Sequence, residues 1–279
     1  MTKLGHTWLR VICAAMSSVL CHAADPLPPN TLSPEDQQAG WILLFDGRTM
    51  NGWGDPRLKT PPGDAWTIED GCLKATAHPR ITEDLFSSSE FTNFELEFDW
   101  RISPRGNSGL KYRIQGHWFL APKGPNVVQE TFEQSVERSF PHAVAQRPAR
   151  GQDYVIGFEY QVIDDRLNED ARSGLKHAAG ALYDMVGPSA AVTKPVGEFN
   201  HCRIVLRGNH VEHWMNGVKV VDSALDSPDV LQGIKSRWGV APHVYDLLAS
   251  QPKKSCPISL QNHGDAAWFR NIKIRGIER

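Results

Sequence analysis

Gly157-Phe158-Glu159-Tyr160-Gln161-Val162-Ile163-Asp164-Asp165 alternates large apolar residues with Glu159 and Gln161 before ending in two aspartates. A period of two marks a strand covered on one face. Phe158, Tyr160 and Val162 are expected in a core, with Glu159 and Gln161 on the opposite face and Asp164 at the polar turn. Phe94 to Ile102 repeats the alternation without a break: Phe94, Leu96, Phe98, Trp100 and Ile102 fall on one side, Glu95, Glu97, Asp99 and Arg101 on the other. Gly109 to Ile114 places Leu110, Tyr112 and Ile114 opposite Lys111 and Arg113, after the turn Arg105-Gly106-Asn107-Ser108-Gly109. If the three strands share a sheet, Asp99, Arg113, Glu159 and Gln161 gather on one concave face.

Strand signals dominate the rest of the chain from about Gly40. They cover Trp41 to Phe45, Ala65 to Ile68, Cys72 to Ala75, Phe199 to Arg207, His210 to Met215, Val218 to Val221, Pro257 to His263 and Trp268 to Ile277. The turns Gly208-Asn209 and Asn216-Gly217 fold Phe199 to Val221 into a meander. Only Ser33 to Ala39, Asp229 to Ile234 and Tyr245 to Ala249 suit helical turns. Many short strands divided by Gly, Pro and Asn turns predict an all-β, two-sheet antiparallel jelly-roll sandwich. Gln115 to Gln152 and Gly174 to Pro195 are too long for simple connections, and long loops on a rigid scaffold more often bind than pack.

Lys3 and Arg10, the apolar run Val11 to Leu20 and the small residues Ala23 and Ala24 predict a secretory signal over residues 1–23. The run is too short to span a bilayer. Lipid attachment at Cys21 is disfavoured by Leu20, which stands where a small residue belongs. An exported protein, periplasmic or secreted, is expected. Residues 24–39, with Pro26, Pro28, Pro29 and Pro34, read as a linker, and residues 40–279 as one domain. With 30 basic and 32 acidic residues the formal net charge is −2, which gives no electrostatic footprint for nucleic acid or an anionic membrane. Cys72, Cys202 and Cys256 lie beyond the signal, so at most one disulfide forms; small buried thiols are the simpler expectation. Oligomeric state is open at this level.

Several of these stretches, taken in order, resemble the 3-keto-disaccharide hydrolase domain family. They are Trp41 to Thr49 through Gly52-Trp53, Asn107-Ser108-Gly109 through Arg113, Phe158 to Gln161 through Asp164, His177 through Gly180 and Tyr183, Trp214 to Gly217, and Gln261 to Gly264. The resemblance spans essentially the whole chain after the signal. It implies a concanavalin A-like fold and cleavage of glycosides whose sugar is oxidised to a ketone at C3. Such a ketone acidifies the C2 proton, so a base removes it and the aglycone oxygen leaves C1, water adding back if hydrolysis is the net result. The site then needs a base, a group that holds the enolate oxygen, and an acid for the leaving group.

Glu159, His177 and His263 are the catalytic candidates. Asn107, Arg113, Gln161, Tyr183, Asp99 and Gln261 are the substrate-binding candidates, with Trp118 or Trp53 as a sugar platform. A divalent cation could also hold the enolate, and Asp164 is its candidate ligand. The long insertion Gln115 to Gln152, with His117, Phe119, Phe132, Phe140 and His142, bears on which aglycone is accepted. Two other readings compete: a carbohydrate-binding sandwich without turnover, and a glucanase using the carboxylates of Glu95-x-Glu97-x-Asp99.

Overall fold

The computed structural model describes residues 27–55, 63–120, 151–238, 242–250 and 252–278. In chain order its strands begin with β1 (Ile42–Leu43), β2 (Trp53–Gly54), β3 (Trp66–Glu69), β4 (Cys72–Ala75), β5 (Ile81–Thr82), β6 (Leu85–Ser87) and β7 (Phe94–Ile102). They continue with β8 (Asn107–Leu120), β9 (Gly151–Ile163), β10 (Asn200–Arg207), β11 (His210–Met215), β12 (Val218–Ala224), β13 (Ser259–Leu260) and β14 (Ala267–Gly276). The helices are α1 (Pro34–Gln38), α2 (Glu169–Ser173), α3 (Pro228–Trp238) and α4 (Pro242–Ala249).

Among the described residues the strands form two sheets. The first runs β12-β11-β10-β7-β14-β4-β3, with β1 also on β14; the second runs β2-β6-β13-β8-β9-β5. Pairing is antiparallel except for β5 on β9, which is parallel. The fold is the expected two-sheet sandwich. Between the sheets the Phe98 ring meets Tyr160 edge-on at 5.4 Å and Phe94 meets Tyr112 at 6.4 Å. Cys72, Cys202 and Cys256 are free and buried. The Trp100 indole N–H and the Tyr160 hydroxyl both reach Cys202 Sγ at 3.1 Å, which satisfies two polar groups inside the core.

The sandwich corrects one expectation. β7 lies in the first sheet, beside β10 and β14, whereas β8 and β9 pair in the second. Each strand turns its apolar side to the same core, so their polar sides face opposite exteriors of the molecule. Asp99 therefore does not share a face with Glu159. It holds His201 Nδ1 at 2.8 Å and accepts Asn271 Nδ2 at 2.6 Å. Those contacts and Arg270 keep its carboxylate below the usual range against the cost of burial. Glu95 is bonded to Arg203 and Arg275, and Glu97 lies 3.0 Å from Lys273. The three carboxylates of the glucanase reading are thus tied up as outer-face ion pairs.

Residues 30–39 also pack on the domain rather than tethering it. Asn30 and Asn271 exchange backbone-to-side-chain hydrogen bonds at 2.6 and 2.8 Å, and Asp36 pairs with Lys273 at 2.9 Å. α1 starts in a capping box between Ser33 and Asp36. Gln115 to Leu120 and Gly151 to Gln152, expected within a loop, extend β8 and β9 as a long hairpin. Phe132, Phe140 and His142 lie outside the described residues, as do the expected signal, residues 1–23, and the side chains of His117, Trp118 and Phe119.

The segment Gly174 to Pro195 runs along the free side of β9, where Gln161 N–H bonds the Ala181 carbonyl and Tyr183 N–H bonds the Glu159 carbonyl. It can lie this close because residue 180 is glycine. Gly180 has φ +82°, and a β-carbon there would sit 2.6 Å from Met215 Cε.

Candidate active site

The outward face of β8 and β9 gathers the chemistry. Their register sets Lys111 opposite Glu159 and Gly109 opposite Gln161. Gly109 has no side chain, so the Glu159 carboxylate lies over it; a β-carbon at Gly109 would collide with Glu159 Oε1. Lys111 is buried, with Nζ 3.0 Å from Asp84 Oδ2, and Ser259 Oγ supports that carboxylate at 3.2 Å. Gln261 joins the two strands' charges. With its amide oriented to satisfy both ends, Gln261 accepts from Lys111 Nζ at 3.1 Å and donates to Glu159 Oε1 at 3.2 Å.

The Gly174 to Pro195 segment supplies the opposite wall. Tyr183, brought in by its bond to the Glu159 carbonyl, donates its hydroxyl to Asp170 Oδ2 at 2.8 Å and packs its ring on His177 with centroids 5.0 Å apart. From α3, Arg237 stacks 4.6 Å over Tyr183, pairs with Asp184 at 3.2 Å and lies 3.4 Å from the Tyr154 hydroxyl. Lys111, Tyr154, Gly157, Glu159, Tyr183, Arg237 and Gln261 line the resulting narrow cleft. Its free space is about 20 Å³, room for one water. A sugar ring needs more room than that, so its entry requires the cleft to widen. Larger cavities lie elsewhere, such as one of about 270 Å³ beside Trp100 and Thr193, but Glu159, Tyr183 and Gln261 do not line it.

Burial raises the pKa of Glu159, partly offset by Lys111 and Arg237, while Asp84 and Asp170 push it further up. For Lys111 burial works against the ammonium, yet Asp84 and Glu159 overcome it and the pKa rises. Lys111 thus stays a cation beside a poorly solvated carboxyl group whose basicity burial has raised. Arg237 is likewise held charged against burial by Tyr154, Tyr183 and Glu159. Burial raises the Tyr183 phenol as well, so it remains a hydrogen-bond donor.

Of the residues singled out from sequence, Glu159, Tyr183 and Gln261 meet in this cleft. Gln161 follows Glu159 on the same face. It is buried, its Nε2 reaches Asn107 Oδ1 at 3.4 Å, and its Oε1 has no partner among the described residues. Asn107 is fixed through its backbone N–H to Asp265 at 3.0 Å. His177 stands behind Tyr183 with both ring nitrogens engaged: Nδ1 by Asp170 at 2.8 Å and Ser173 at 2.7 Å, Nε2 by Asp184 at 3.2 Å. His263 follows Gln261 by two residues and keeps an exposed face. The protein crowded around it, together with Lys111, holds its imidazole below the ordinary value, and Asp170 acts on both His263 and Glu159.

Four candidates are placed elsewhere. Asp99 is on the other exterior, as described above. Arg113 lies in an irregularity of β8 between Tyr112 and Gly116, with φ +52°, and is swung away to donate from Nη2 to the Gly208 carbonyl at 2.7 Å. Asp164 caps its turn. Its oxygens accept the backbone N–H groups of Arg105 at 2.8 Å, Arg166 at 3.0 Å and Leu167 at 3.3 Å. Among the described residues the group with closely spaced metal-ligand atoms is His210, Glu212 and Asp222, exposed on the first sheet, and Asp164 is not part of it. Trp53 is buried with its indole N–H on the Leu44 carbonyl at 2.7 Å, so it is no sugar platform.

Sequence reading passed over Lys111, Asp84, Asp170, Asp184, Tyr154 and Arg237. Lys111 alone carried a usable signal, being the polar-face neighbour of Glu159 once the two strands pair. Arg237 carried none, since its helix reaches the cleft only through tertiary packing.

Comparison with known proteins bears on this geometry. A family model described as the 3-keto-alpha-glucoside-1,2-lyase-like domain matches residues 40–275. A 3-keto-disaccharide hydrolase of Bacteroides thetaiotaomicron is 31% identical over 253 residues, 86% of this chain and 79% of that protein. Two crystal structures from Parabacteroides distasonis, each provisionally named a glycosyl hydrolase, are both 24% identical to this chain. They align with TM-scores of 0.66 and 0.53, covering 90% and 85% of this chain and 100% and 99% of theirs. At that identity the likeness concerns the fold.

Proposed function

Because this chain belongs to the 3-keto-alpha-glucoside-1,2-lyase-like domain family, we propose that it is a carbohydrate-active enzyme that cleaves glycosides bearing a ketone at C3. Glu159 is the base. The observation that carries this reading is the Glu159 carboxylate itself: raised in pKa by burial, it stands between the cations of Lys111 and Arg237 in a cleft. A carboxylate so placed is basic enough to take a carbon-bound proton that a neighbouring ketone has acidified.

The steps balance without an oxidant. Glu159 takes the C2 proton, and the C2–H pair forms a C2–C3 double bond while the carbonyl pair moves onto the C3 oxygen. Collapse of that enolate forms the C1–C2 double bond and expels the C1 oxygen, which takes up a proton as the aglycone leaves. The first product is a sugar enone; addition of water across C1–C2 gives net hydrolysis. His263, which has an exposed face and feels the charges of Lys111, Asp170 and Asp84, passes a proton to or from the leaving oxygen. His177, with both nitrogens engaged, orients Asp170 and Tyr183 instead. Gln161 presents a buried carbonyl oxygen to a sugar hydroxyl.

The test is to offer the protein a 3-keto-glucoside and its unoxidised parent. Cleavage of the 3-keto compound alone is expected. Equal rates on both would refute the reading in favour of an ordinary glycosidase, and binding without cleavage would refute it in favour of a lectin-like module. Export belongs to the same proposal, resting on Lys3, Arg10 and the apolar run that follows. N-terminal sequencing of the protein recovered outside the cytoplasm should begin near Ala24.

A further inference from the structure

We infer that Lys111 is a catalytic residue, the cation that receives the C3 oxygen as it becomes an enolate. The inference rests on the proposed C2 deprotonation and names the group that reading left open.

Geometry selects Lys111 over its neighbours. A base acting at C2 and a donor acting on the C3 oxygen must face adjacent atoms of one sugar. With a proton-transfer contact of about 3 Å at one end and a hydrogen bond of about 3 Å at the other, the two groups belong roughly 5 to 6 Å apart. Glu159 and Lys111 are opposite partners on β9 and β8, and a single amide, that of Gln261, bridges them at 3.2 and 3.1 Å. One amide group is a spacer of that size.

Lys111 also has a donor to give. An ammonium has three N–H donors. Asp84 takes one of Lys111's at 3.0 Å and Gln261 takes a second at 3.1 Å, which leaves a third among the described residues. Arg237 bonds Asp184 and the Tyr154 hydroxyl and keeps its Nε unpartnered among the described residues, but its plane is stacked on Tyr183 and Trp238, and Gln261 bridges Lys111, not Arg237, to Glu159. Asp84, itself held by Ser259, anchors Lys111 before substrate arrives. A donor fixed beforehand in a poorly solvated cleft is the arrangement that stabilises developing charge most effectively.

The experiment separates proton removal from cleavage. The probe is the 3-keto derivative of 1,5-anhydroglucitol, which carries no aglycone at C1. Exchange of its C2 proton in deuterated water is followed by proton NMR, alongside cleavage of a 3-keto-glucoside. Lys111→Gln alone would take a cation away from the buried Asp84 carboxylate, so the working variant is Lys111→Gln with Asp84→Asn, an uncharged pair of similar size. Relative to wild type it should lose about 100- to 1,000-fold in both exchange and cleavage, while thermal unfolding stays cooperative.

Exchange within threefold of wild type would overturn the assignment. So would loss of cleavage with exchange retained, which would put Lys111 at the leaving group. Recovery of the variant's rate on raising pH would also overturn it, because Lys111 would then act only by tuning Glu159. Absence of exchange and cleavage in the wild type would sink the functional reading instead, and the role of Lys111 with it.

Discussion

His213 should make this fold acid-sensitive by an amount that can be worked out in advance. The ring is completely buried on β11 between the sheets, its Nδ1 2.9 Å from the Gly180 carbonyl and its Nε2 2.9 Å from the Tyr112 hydroxyl. A carbonyl only accepts, so Nδ1 carries the proton and Nε2 accepts from Tyr112. A second proton would set an N–H against an O–H donor and put a charge in the core. Burial accordingly pushes the imidazole down from 6.5 to about 4, with the Gly180 and Ala181 backbone pulling weakly the other way.

The unfolded chain keeps the ordinary value, so between these two pKa values it binds a proton that the native state refuses. Stability therefore falls as pH falls from about 6.5, and the loss is complete below about 4. From about pH 7 to about pH 4.5 this single residue removes roughly 2 kcal/mol, a large part of the 5 to 15 kcal/mol typical of a folded domain. Urea unfolding followed by tryptophan fluorescence, at both pH values, on wild type and His213→Gln measures it. The variant starts lower at neutral pH, yet it should lose roughly 2 kcal/mol less than wild type on acidification. Other titrating groups cancel in that difference. Parallel losses in the two proteins would refute the assignment of a neutral, tautomer-fixed imidazole.

Glu159→Gln should cost at least about two decades of turnover on a 3-keto-glucoside with the fold intact. Because burial raises the Glu159 pKa, wild-type kcat/KM should climb with pH through a limb above the ordinary glutamate range, and a limb at or below that range would contradict the site. Gly109→Ala should displace the Glu159 carboxylate lying against it and cut turnover at least about tenfold, while the melting temperature moves only a few degrees; unchanged turnover would show that the carboxylate does not act from this position. Arg113→Met should lose about 1 to 3 kcal/mol in chemical denaturation through its bond to the Gly208 carbonyl, yet retain turnover per folded molecule, and a large activity loss at full stability would return Arg113 to the substrate.

A period-two alternation states which side of its own strand a residue occupies, and that much was legible. Phe158, Tyr160 and Val162 point inward and Glu159 outward as the alternation requires, and the meander β10-β11-β12 closes through the Gly208-Asn209 and Asn216-Gly217 turns read from sequence. The helical turns expected near Ser33, Asp229 and Tyr245 also lie within α1, α3 and α4. Alternation is silent about which sheet a strand joins, because in a sandwich both sheets turn the same apolar side to one core and opposite polar sides to water. For that reason Glu95, Glu97 and Asp99 read like Glu159 and Gln161 but lie on the far exterior. Local irregularity is equally hidden: the break after Tyr112 swings Arg113 out of the face that its odd number assigns it. The cleft's charge pairs join Lys111 to Asp84 and to Gln261, and Arg237 to Asp184, across long stretches of chain. No short-range pattern encodes such pairs. The family likeness and the strand faces were set by local sequence, whereas the company Glu159 keeps, and so its basicity, was decided only when packing brought distant charges into one desolvated cleft.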